Sequence, residues 1–253
     1  MNWNLKGKHA LISGGTRGIG LAIAEEFLQL GAAIIVIARD EKYLAKKIKL
    51  WKDKNFPVDG IAADVSTTSD RERVFEILKQ KGIQLDILIN NAGTNIRKKV
   101  KEYSDQEYDH IFNTNLHSTF DMCRRAYPLL QQSKSASIVN ISSVAGLTHM
   151  RTGAPYGMTK AAIVQLTRNL AVEWAPDGIR VNCIAPWYIH TPLVEKLFEN
   201  QSYLREVLDR TPMGRIGEAQ EVAAAVAFFC MPGASFITGQ CLAVDGGFMV
   251  KGF

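Results

Sequence analysis

The feature that most constrains the fold is an alternation of short apolar runs with longer segments of helical periodicity, which extends along nearly the whole chain. Most of the short runs are rich in Ile and Val and lack polar alternation, which is typical of strands buried on both faces. The predicted strands are 9–13, 33–38, 58–63, 85–89, 137–141, 180–185 and 241–244. The predicted helices are 18–30, 41–54, 69–81, 104–131, 152–174 and 218–229. This alternation predicts an α/β fold, a Rossmann-type doubly wound parallel sheet of about seven strands with helices on both faces.

The whole chain, residues 1–253, is expected to form one domain, because α/β domains of this length often fold as a single unit. Residues 186–217 interrupt the alternation between the sixth strand and the last helix. In a parallel sheet such an insertion lies over the carboxyl ends of the strands, where ligands bind. We therefore predict that 186–217 is a loop that covers the substrate.

Composition and charge argue against several functional classes. We expect no signal peptide, and the most apolar stretch, 222–231, is shorter than the roughly 20 residues of a membrane span. The four cysteines are widely spaced among apolar neighbours, which predicts buried reduced thiols, a cytoplasmic protein and no metal. The net charge of +5 comes partly from the basic runs 42–54 and 97–101, which we interpret as a solvated helix and a solvated loop. No nucleic-acid-binding motif accompanies them, so we predict neither a nucleic-acid nor a membrane partner.

The turn after the first predicted strand has the composition of a phosphate-binding turn. Residues 13–20 read Ser-Gly-Gly-Thr-Arg-Gly-Ile-Gly and lead directly into a helix. Glycines let the backbone approach a pyrophosphate, and the helix N-terminus supplies free N–H groups and a partial positive charge. The spacing differs from the commonest dinucleotide fingerprint, and any tight turn favours glycine. The correctly placed strand and helix are what favour a dinucleotide site.

The end of the second predicted strand bears on the choice of dinucleotide. An acid at this position would bind the ribose 2′-hydroxyl of NAD and repel a 2′-phosphate. Ala38 occupies the position and Arg39 follows it, and an arginine fork suits a phosphate. Arg17 could contact the same phosphate, whereas a shift in register would place Asp40 there and favour NAD. We predict NADP as the cofactor in preference to NAD.

Tyr156 and Lys160 form the candidate acid–base pair. They lie four residues apart at the start of a predicted helix, so they share one face of it. A tyrosine ordinarily has a pKa of about 10. We expect the Lys160 ammonium, together with an oxidised nicotinamide, to lower the pKa of Tyr156. Tyr156 would then act as general acid in reduction and as general base in oxidation.

Three further groups of polar residues accompany this pair. Ser143 follows the fifth predicted strand, where a carbonyl oxygen could bind, although serine is also an ordinary turn residue there. Asn115 interrupts a predicted helix, which fits either a functional role or a solvent-facing side chain. Residues 91–93, Asn-Ala-Gly, follow the fourth strand and would turn the backbone beside the cofactor.

Together these motifs resemble the short-chain dehydrogenase/reductase family over essentially the whole chain. The matching motifs are Ser13-Gly14 through Gly20, Asp64-Val65, Asn90-Asn91-Ala92-Gly93, Asn115, Ser143, Tyr156-x-x-x-Lys160 and Asp245-Gly246-Gly247. The resemblance implies that Tyr156 donates the proton and that Ser143 binds the carbonyl oxygen. It further implies that Lys160 holds the nicotinamide ribose and that Asn115 positions a water in a proton relay to Lys160.

The same resemblance implies a set of cofactor contacts and an oligomeric state. The implied contacts are Gly14, Thr16, Arg17, Gly18, Ile19, Gly20, Arg39, Asp64, Val65, Asn91, Ala92, Gly93, Tyr156, Lys160, Pro186, Ile189 and Thr191. Members of the family are usually homotetramers and sometimes homodimers, so we expect one of these assemblies.

Segments 191–195, 211–215 and 237–240 look most like the tropinone-reductase branch of the family. The resemblance implies an NADPH-dependent reductase of a small ketone. The alternatives are a 3-oxoacyl-[acyl-carrier-protein] reductase, a gluconate-type sugar-acid dehydrogenase, or a dinucleotide-binding sensor without catalysis. An intact acid–base set argues against the sensor.

The substrate pocket is predicted from the loops near Tyr156. Its candidate residues are Val144, Thr148, His149, Met150, Trp187, Ile189 and Leu193. They are mostly apolar or aromatic, which favours a ring-bearing or alicyclic ketone over a highly charged acid. Trp187 stands where the family usually has glycine, and we interpret it as a wall of this pocket.

Overall fold

The computed structural model describes residues 3–192 and 194–252, except for the side chain of Lys196. Parallel strands form one sheet, and the predicted fold class is confirmed. The strands are β1 (His9–Ser13), β2 (Ala33–Ala38), β3 (Val58–Ala62), β4 (Ile87–Asn90), β5 (Ala136–Ile141), β6 (Ile179–Pro186) and β7 (Cys241–Val244). Their spatial order is β3-β2-β1-β4-β5-β6-β7. The order reverses between β1 and β4, which is where doubly wound sheets bind ligands.

Helices cover both faces of this sheet. They are α1 (Gly18–Gln29), α2 (Glu41–Lys52), α3 (Thr68–Gln80), α4 (Asp105–Phe112), α5 (Ser118–Leu130), α6 (Ala154–Glu173), α7 (Glu195–Phe198), α8 (Gln201–Asp209) and α9 (Ala219–Cys230). Successive side chains of a strand point to opposite faces. In β1, Ala10 and Ile12 pack into the core beneath α1 and α9, while Leu11 packs into the core beneath α3 and α5. Both faces are therefore buried, as the unbroken apolar runs predicted.

The segment 186–217 is not the plain loop that we predicted, because it contains α7 and α8. Asn200 caps α8 by accepting hydrogen bonds from the backbone N–H groups of Ser202 and Tyr203. The buried Val207 of α8 packs in a separate small core together with Tyr188 and other residues of the segment. A parallel bridge between Ile189 and Gly217 joins the two ends of the segment. The segment is therefore a packed unit seated beside the carboxyl end of β6.

The long helix predicted over 104–131 contains a change of winding. A π-helical turn, Asn113–His117, separates α4 from α5. Turns of this type often occur at functional sites, because they redirect side chains out of the regular helical register. This turn carries Asn115.

Within the described residues, no helix combines the length and the apolarity that a membrane crossing requires.

Candidate active site

A cavity of about 620 Å³ opens at the carboxyl edge of the sheet. Its walls come from α6 and from the turns that follow β1, β2, β3, β4, β5 and β6. The predicted site residues that line it are Gly14, Thr16, Arg17, Gly18, Ile19, Gly20, Arg39, Asp64, Val65, Asn91, Ala92, Gly93, Ser143, Val144, Met150, Tyr156, Lys160, Pro186, Trp187, Ile189 and Thr191. The fold thus brings the two ends of the predicted site, the glycine turn and Tyr156, to one cavity.

The glycine turn is shaped by contacts that leave no room for side chains. Gly14 has a φ of +68°, and a Cβ on Gly20 would lie 2.1 Å from the carbonyl oxygen of Gly14. The Asn91 side chain donates hydrogen bonds to the carbonyl oxygens of Ser13 and Gly14, each at 3.1 Å. The turn is therefore fixed to the loop after β4.

The first turn of α1 suits an anionic group. Arg17 precedes the helix without making a side-chain capping hydrogen bond, and the first turn carries no acid. The N–H groups at this end remain available, and the helix dipole favours negative charge beside them. The backbone here fits the pyrophosphate of a dinucleotide.

Two arginines flank the end of β2. Ala38 ends the strand, so the residue that follows it is Arg39, as predicted. Arg39 Nη1 lies 3.9 Å from Asp64 Oδ2, and Arg17 Nη2 lies 3.5 Å from Asp40 Oδ2. Both guanidinium groups are more than half exposed. Asp40 also lines the cavity, but its side chain caps α2 by accepting a hydrogen bond from the backbone N–H of Tyr43, in the first turn of that helix.

The candidate acid–base group lies at the other end of the cavity. Tyr156 and Lys160 are on the same face of α6, with Lys160 Nζ 5.6 Å from the centroid of the Tyr156 ring. Lys160 Nζ also donates a 2.8 Å hydrogen bond to the carbonyl oxygen of Ile141. Ser143 lines the same cavity as Tyr156, and its hydroxyl favours ionisation of the phenol. A substrate oxygen placed between Ser143 and Tyr156 would contact a hydroxyl donor from each side.

The protein's own groups do not shift the pKa of Tyr156 in the direction that we predicted. Burial raises the pKa of the phenol above its ordinary value, and the Ser143 hydroxyl and the charge of Arg97 offset only part of this rise. Burial also lowers the pKa of Lys160 to about 8. The effect that we predicted for Lys160 together with an oxidised nicotinamide stays a prediction, and in the protein alone the charge of Arg97 favours ionisation of the phenol.

Asn115 lies behind the cavity wall and is fully buried. Its side chain accepts a 2.8 Å hydrogen bond from the Thr94 N–H and donates a 3.0 Å hydrogen bond to the Thr94 carbonyl oxygen. It also donates to Thr159 Oγ1 at 3.2 Å. A Cβ on Gly93 would lie 3.4 Å from Asn115 Oδ1 and 3.5 Å from Lys160 Nζ, so both side chains border Gly93. The visible role of Asn115 is to hold the backbone of the loop after β4.

Several substrate-pocket predictions need correction. His149, like Thr148, is exposed and does not line the cavity, because it lies in the turn that leads away from Ser143. Leu193 lies outside the described residues. Trp187 does line the cavity, but its indole stacks on Phe248 at 3.7 Å between centroids and donates a 3.0 Å hydrogen bond to Thr211. The indole therefore joins segments of the fold as well as bordering the site.

Sequence reasoning missed polar residues at the tyrosine end of the cavity. They are Asn95, Arg97, Thr152 and Tyr188. The interpretation of 97–101 as a solvated loop was wrong for Arg97, although Lys98, Lys99 and Lys101 are exposed. The position of Arg97 after β4, at the ligand-binding edge, was the one signal that could have found it.

Comparison with known proteins agrees with this site. Residues 14–249 match the family model described as enoyl-(acyl carrier protein) reductase. A tropinone reductase homolog from Arabidopsis thaliana is 50% identical over 252 residues, which is 99% of this chain and 96% of that protein. The chain belongs to the short-chain dehydrogenase/reductase family.

Other members of the short-chain dehydrogenase/reductase family show the same likeness. A chloroplastic tropinone reductase homolog from Arabidopsis thaliana is 49% identical over 99% of this chain and 78% of its own length. A gluconate 5-dehydrogenase from Burkholderia cenocepacia, solved in complex with NADP and tartrate, has a TM-score of 0.95 at 31% identity and covers 99% of this chain and 98% of its own. A 3-oxoacyl-[acyl-carrier protein] reductase from Brucella melitensis has a TM-score of 0.90 at 32% identity, with 97% and 92% covered.

As a short-chain dehydrogenase/reductase, the protein is an oxidoreductase that is similar to tropinone reductase homologs. Within the described residues, no group of three or more His, Cys, Asp or Glu side chains is arranged to hold a metal ion.

Proposed function

We propose that the protein is an NADPH-dependent carbonyl reductase that converts a small ketone to a secondary alcohol, as its tropinone-reductase likeness suggests. The observation that carries this proposal is the convergence of Ser143, Tyr156 and Lys160 on the cavity that also contains the glycine turn. A site that only sensed a dinucleotide would have no need of paired hydroxyl donors beside a buried lysine.

The proposed reaction needs one hydride and one proton. A nicotinamide dinucleotide supplies the hydride to the carbonyl carbon when it is bound. Ser143 donates a hydrogen bond to the carbonyl oxygen, and Tyr156 transfers its phenolic proton to that oxygen as the alcohol forms. Lys160 lies behind the phenol ring and adds positive charge that stabilises the resulting phenolate while the lysine remains protonated.

The proposed cofactor is NADP rather than NAD. Arg17 and Arg39 stand at the end of β2, where the adenosine ribose binds in folds of this type. Their paired guanidinium groups suit a 2′-phosphate, and Ala38 places no acid there. We propose that the dinucleotide also contacts the cavity-lining residues, given above, of the turns after β1, β3, β4 and β6.

The decisive experiment compares the wild type with Tyr156→Phe in assays of NADPH oxidation. The panel contains tropinone, a 3-oxoacyl thioester and 5-oxogluconate, so that the alternative substrates are tested together. The variant is expected to lose about 10²- to 10⁴-fold in kcat, because it lacks the transferable proton. It should bind NADPH as tightly as the wild type, as measured by the fluorescence of the bound nucleotide. Nucleotide binding without turnover in either protein would instead support a sensor.

We also propose a cytoplasmic homo-oligomer that binds neither nucleic acid nor membrane. The described cysteines are all free thiols, which suits a reducing compartment. One relative carries the name chloroplastic, so imaging of a fluorescent fusion should compare cytoplasm with plastid. The oligomer is supported by the exposed apolar side chains of Phe236, Val172 and Leu242 near β7, at one edge of the sheet.

A further inference from the structure

Arg97 is a partly buried cation with an unusual set of neighbours. The described residues that line the cavity include four cations, and three of them have strong acceptors: Arg17 faces Asp40, Arg39 faces Asp64, and Lys160 binds a backbone carbonyl oxygen. Arg97 makes no salt bridge with any described carboxylate. A partly buried charge without a counter-ion has lost part of its hydration, so an anionic ligand would stabilise it.

Two phenols hold Arg97 in place through one of its nitrogens. Arg97 Nη1 donates hydrogen bonds to Tyr188 Oη at 3.3 Å and to Tyr203 Oη at 3.2 Å, and the two hydroxyls contact each other. The guanidinium carbon lies 5.9 Å from the centroid of the Tyr188 ring. A guanidinium has five N–H donors, so Nε and Nη2 keep donors that no described residue accepts.

The surroundings of Arg97 keep it charged and near the reacting group. Burial alone would lower its pKa, but the contacts with Tyr188 and Tyr203 raise the pKa above its ordinary value. Its charge acts on the phenol of Tyr156, which places it on the same side of the cavity. Asn95, two residues earlier, lines the same wall with a buried Oδ1 that has no hydrogen-bond partner among the described residues.

We propose that Arg97 binds the carboxylate of the substrate, and that the physiological substrate is therefore an oxo acid rather than a neutral ketone. This inference rests on the proposed reductase function. A carboxylate would accept two parallel hydrogen bonds from the planar guanidinium and would supply the missing counter-charge. The apolar side chains Val144 and Met150 border the same space and leave room for a carbon skeleton between the two polar ends.

The test uses pairs of ketones that differ only in charge. Acetoacetate is paired with acetoacetamide, 4-oxopentanoate with 4-oxopentanamide, and 4-oxocyclohexanecarboxylate with its amide, so that several separations of carbonyl and carboxylate are sampled. For the best pair, the wild type should show a kcat/KM about 10- to 100-fold higher for the acid than for the amide, in line with a charge-assisted hydrogen-bonded pair. Arg97→Met should bring the acid-to-amide ratio of kcat/KM to about one. Any effect of the lost charge on the Tyr156 phenol acts on both substrates and cancels in that ratio.

Tyr203→Phe is the matched control, because it removes one phenol contact and keeps the guanidinium; it should retain the preference for the acid. Thermal unfolding of each variant reports whether it folds. An Arg97→Met variant that lowers acid and amide equally, or a wild type that prefers the amides, overturns the proposal.

The outcome separates this inference from the proposed reductase function. Reduction of amides and acids alike, without preference, defeats the Arg97 proposal and supports the reductase. If no ketone is reduced, the reductase proposal fails, and titration of cyclohexanecarboxylate into the wild type and Arg97→Met in the presence of NADP⁺ still tests the carboxylate site. Calorimetric binding by the wild type alone supports that site, and equal binding or none overturns it.

Discussion

At the scale of single residues, the reactivity of the Tyr156 phenol depends on groups that contribute unequally. Burial opposes ionisation, while Ser143 and Arg97 favour it. Lys160 is itself buried and holds its proton less tightly than an exposed lysine does. The burial of these two groups therefore lowers the stability of the folded protein, as is common where side chains are placed for chemistry rather than for stability.

The first prediction at this scale concerns the pH dependence of stability. The pKa of Lys160 is about 8 in the folded protein and near its ordinary value of about 10.4 in the unfolded chain. Between these values the unfolded chain binds more protons, so the free energy of unfolding rises with pH. From pH 7 to pH 9 the wild type should gain about 1 kcal/mol relative to Lys160→Met, as measured by urea unfolding without added nucleotide. Parallel pH profiles for the two proteins would contradict the buried charge.

The second prediction concerns the choice of cofactor. Arg39→Ala should raise the KM for NADPH about 10- to 100-fold, because a charge-assisted hydrogen bond to phosphate contributes about 1.5–3 kcal/mol. The KM for NADH should stay within about threefold. The control is Lys52→Ala, which removes an exposed positive charge at the other end of α2, where Lys52 pairs with Asp59. An equal loss with both cofactors would show that Arg39 does not contact a 2′-phosphate.

At the scale of elements, the segment 186–217 is attached to the rest of the fold through Trp187. The indole stacks on Phe248, in the short 3₁₀ helix near the end of the chain, with the ring planes 10° apart. It also donates to Thr211, at the far end of the segment. The bulky residue that replaces the family's usual glycine thus joins three parts of the chain.

The third prediction follows from this contact. Trp187→Phe keeps a stacking ring and loses the hydrogen bond, so it should lower the free energy of unfolding by about 1 kcal/mol. Trp187→Gly should lower it by about 3 kcal/mol, because the ring leaves a gap. Thr211→Val removes the same hydrogen bond, and adding it to Trp187→Phe should cost little more. If Trp187→Gly unfolds like the wild type and alters only substrate preference, the indole is a pocket wall and not a structural contact.

The elements differ in how well the sequence predicted them. Every described strand was predicted. The central strands are buried on both faces and therefore read as apolar runs. The edge strand β7 is also apolar, although its side chains are partly exposed. The helices α7 and α8 were missed, because they are short and lie where the alternation of strands and helices breaks. The π-helical turn was missed because it changes the winding without changing the composition, although the poor helix former Asn115 marked its place.

The candidate site was predicted best where its chemistry depends on local spacing. The glycine turn and the pair Tyr156 and Lys160 are set by neighbours in the chain, so their motifs can be recognised. Arg97 depends on Tyr188 and Tyr203, about a hundred residues away in the chain. Its basic neighbours made it resemble part of a solvated run, and only the tertiary structure separates it from them.

At the scale of the whole molecule, the edge of the sheet formed by β7 carries exposed apolar side chains. Phe236 is fully exposed, Val172 on α6 is 80% exposed, and Leu242 on the edge strand β7 is 42% exposed. The chain around Gly239 approaches α6 closely, since a Cβ there would lie 3.4 Å from Ala171. Apolar side chains gathered beside an unpaired strand are typical of a surface that pairs with another copy.

The fourth prediction is that the protein is a homodimer or homotetramer in solution. Size-exclusion chromatography with light scattering should give a mass two or four times the 28.0 kDa of the chain. Phe236→Glu combined with Leu242→Glu should shift the protein towards smaller species, because charge is costly in an apolar interface. Val100→Glu changes an exposed apolar residue elsewhere and should leave the mass unchanged. A monomeric wild type at micromolar concentration would refute the assembly.

The reversal of strand order between β1 and β4 separates two groups of site residues along the chain. The residues that we propose to select the nucleotide, Arg17 and Arg39, lie before this reversal in the chain, and Ser143, Tyr156 and Arg97 lie after it. The two parts meet in a short ladder, in which Ala10, Leu11 and Ile12 pair with residues 87–89, and in the packing of α1 against α9. A chimera that takes residues 1–84 from a relative with another nucleotide preference should inherit that preference and keep its own substrate range. The preference for a nucleotide and the preference for a substrate can therefore evolve, or be engineered, separately.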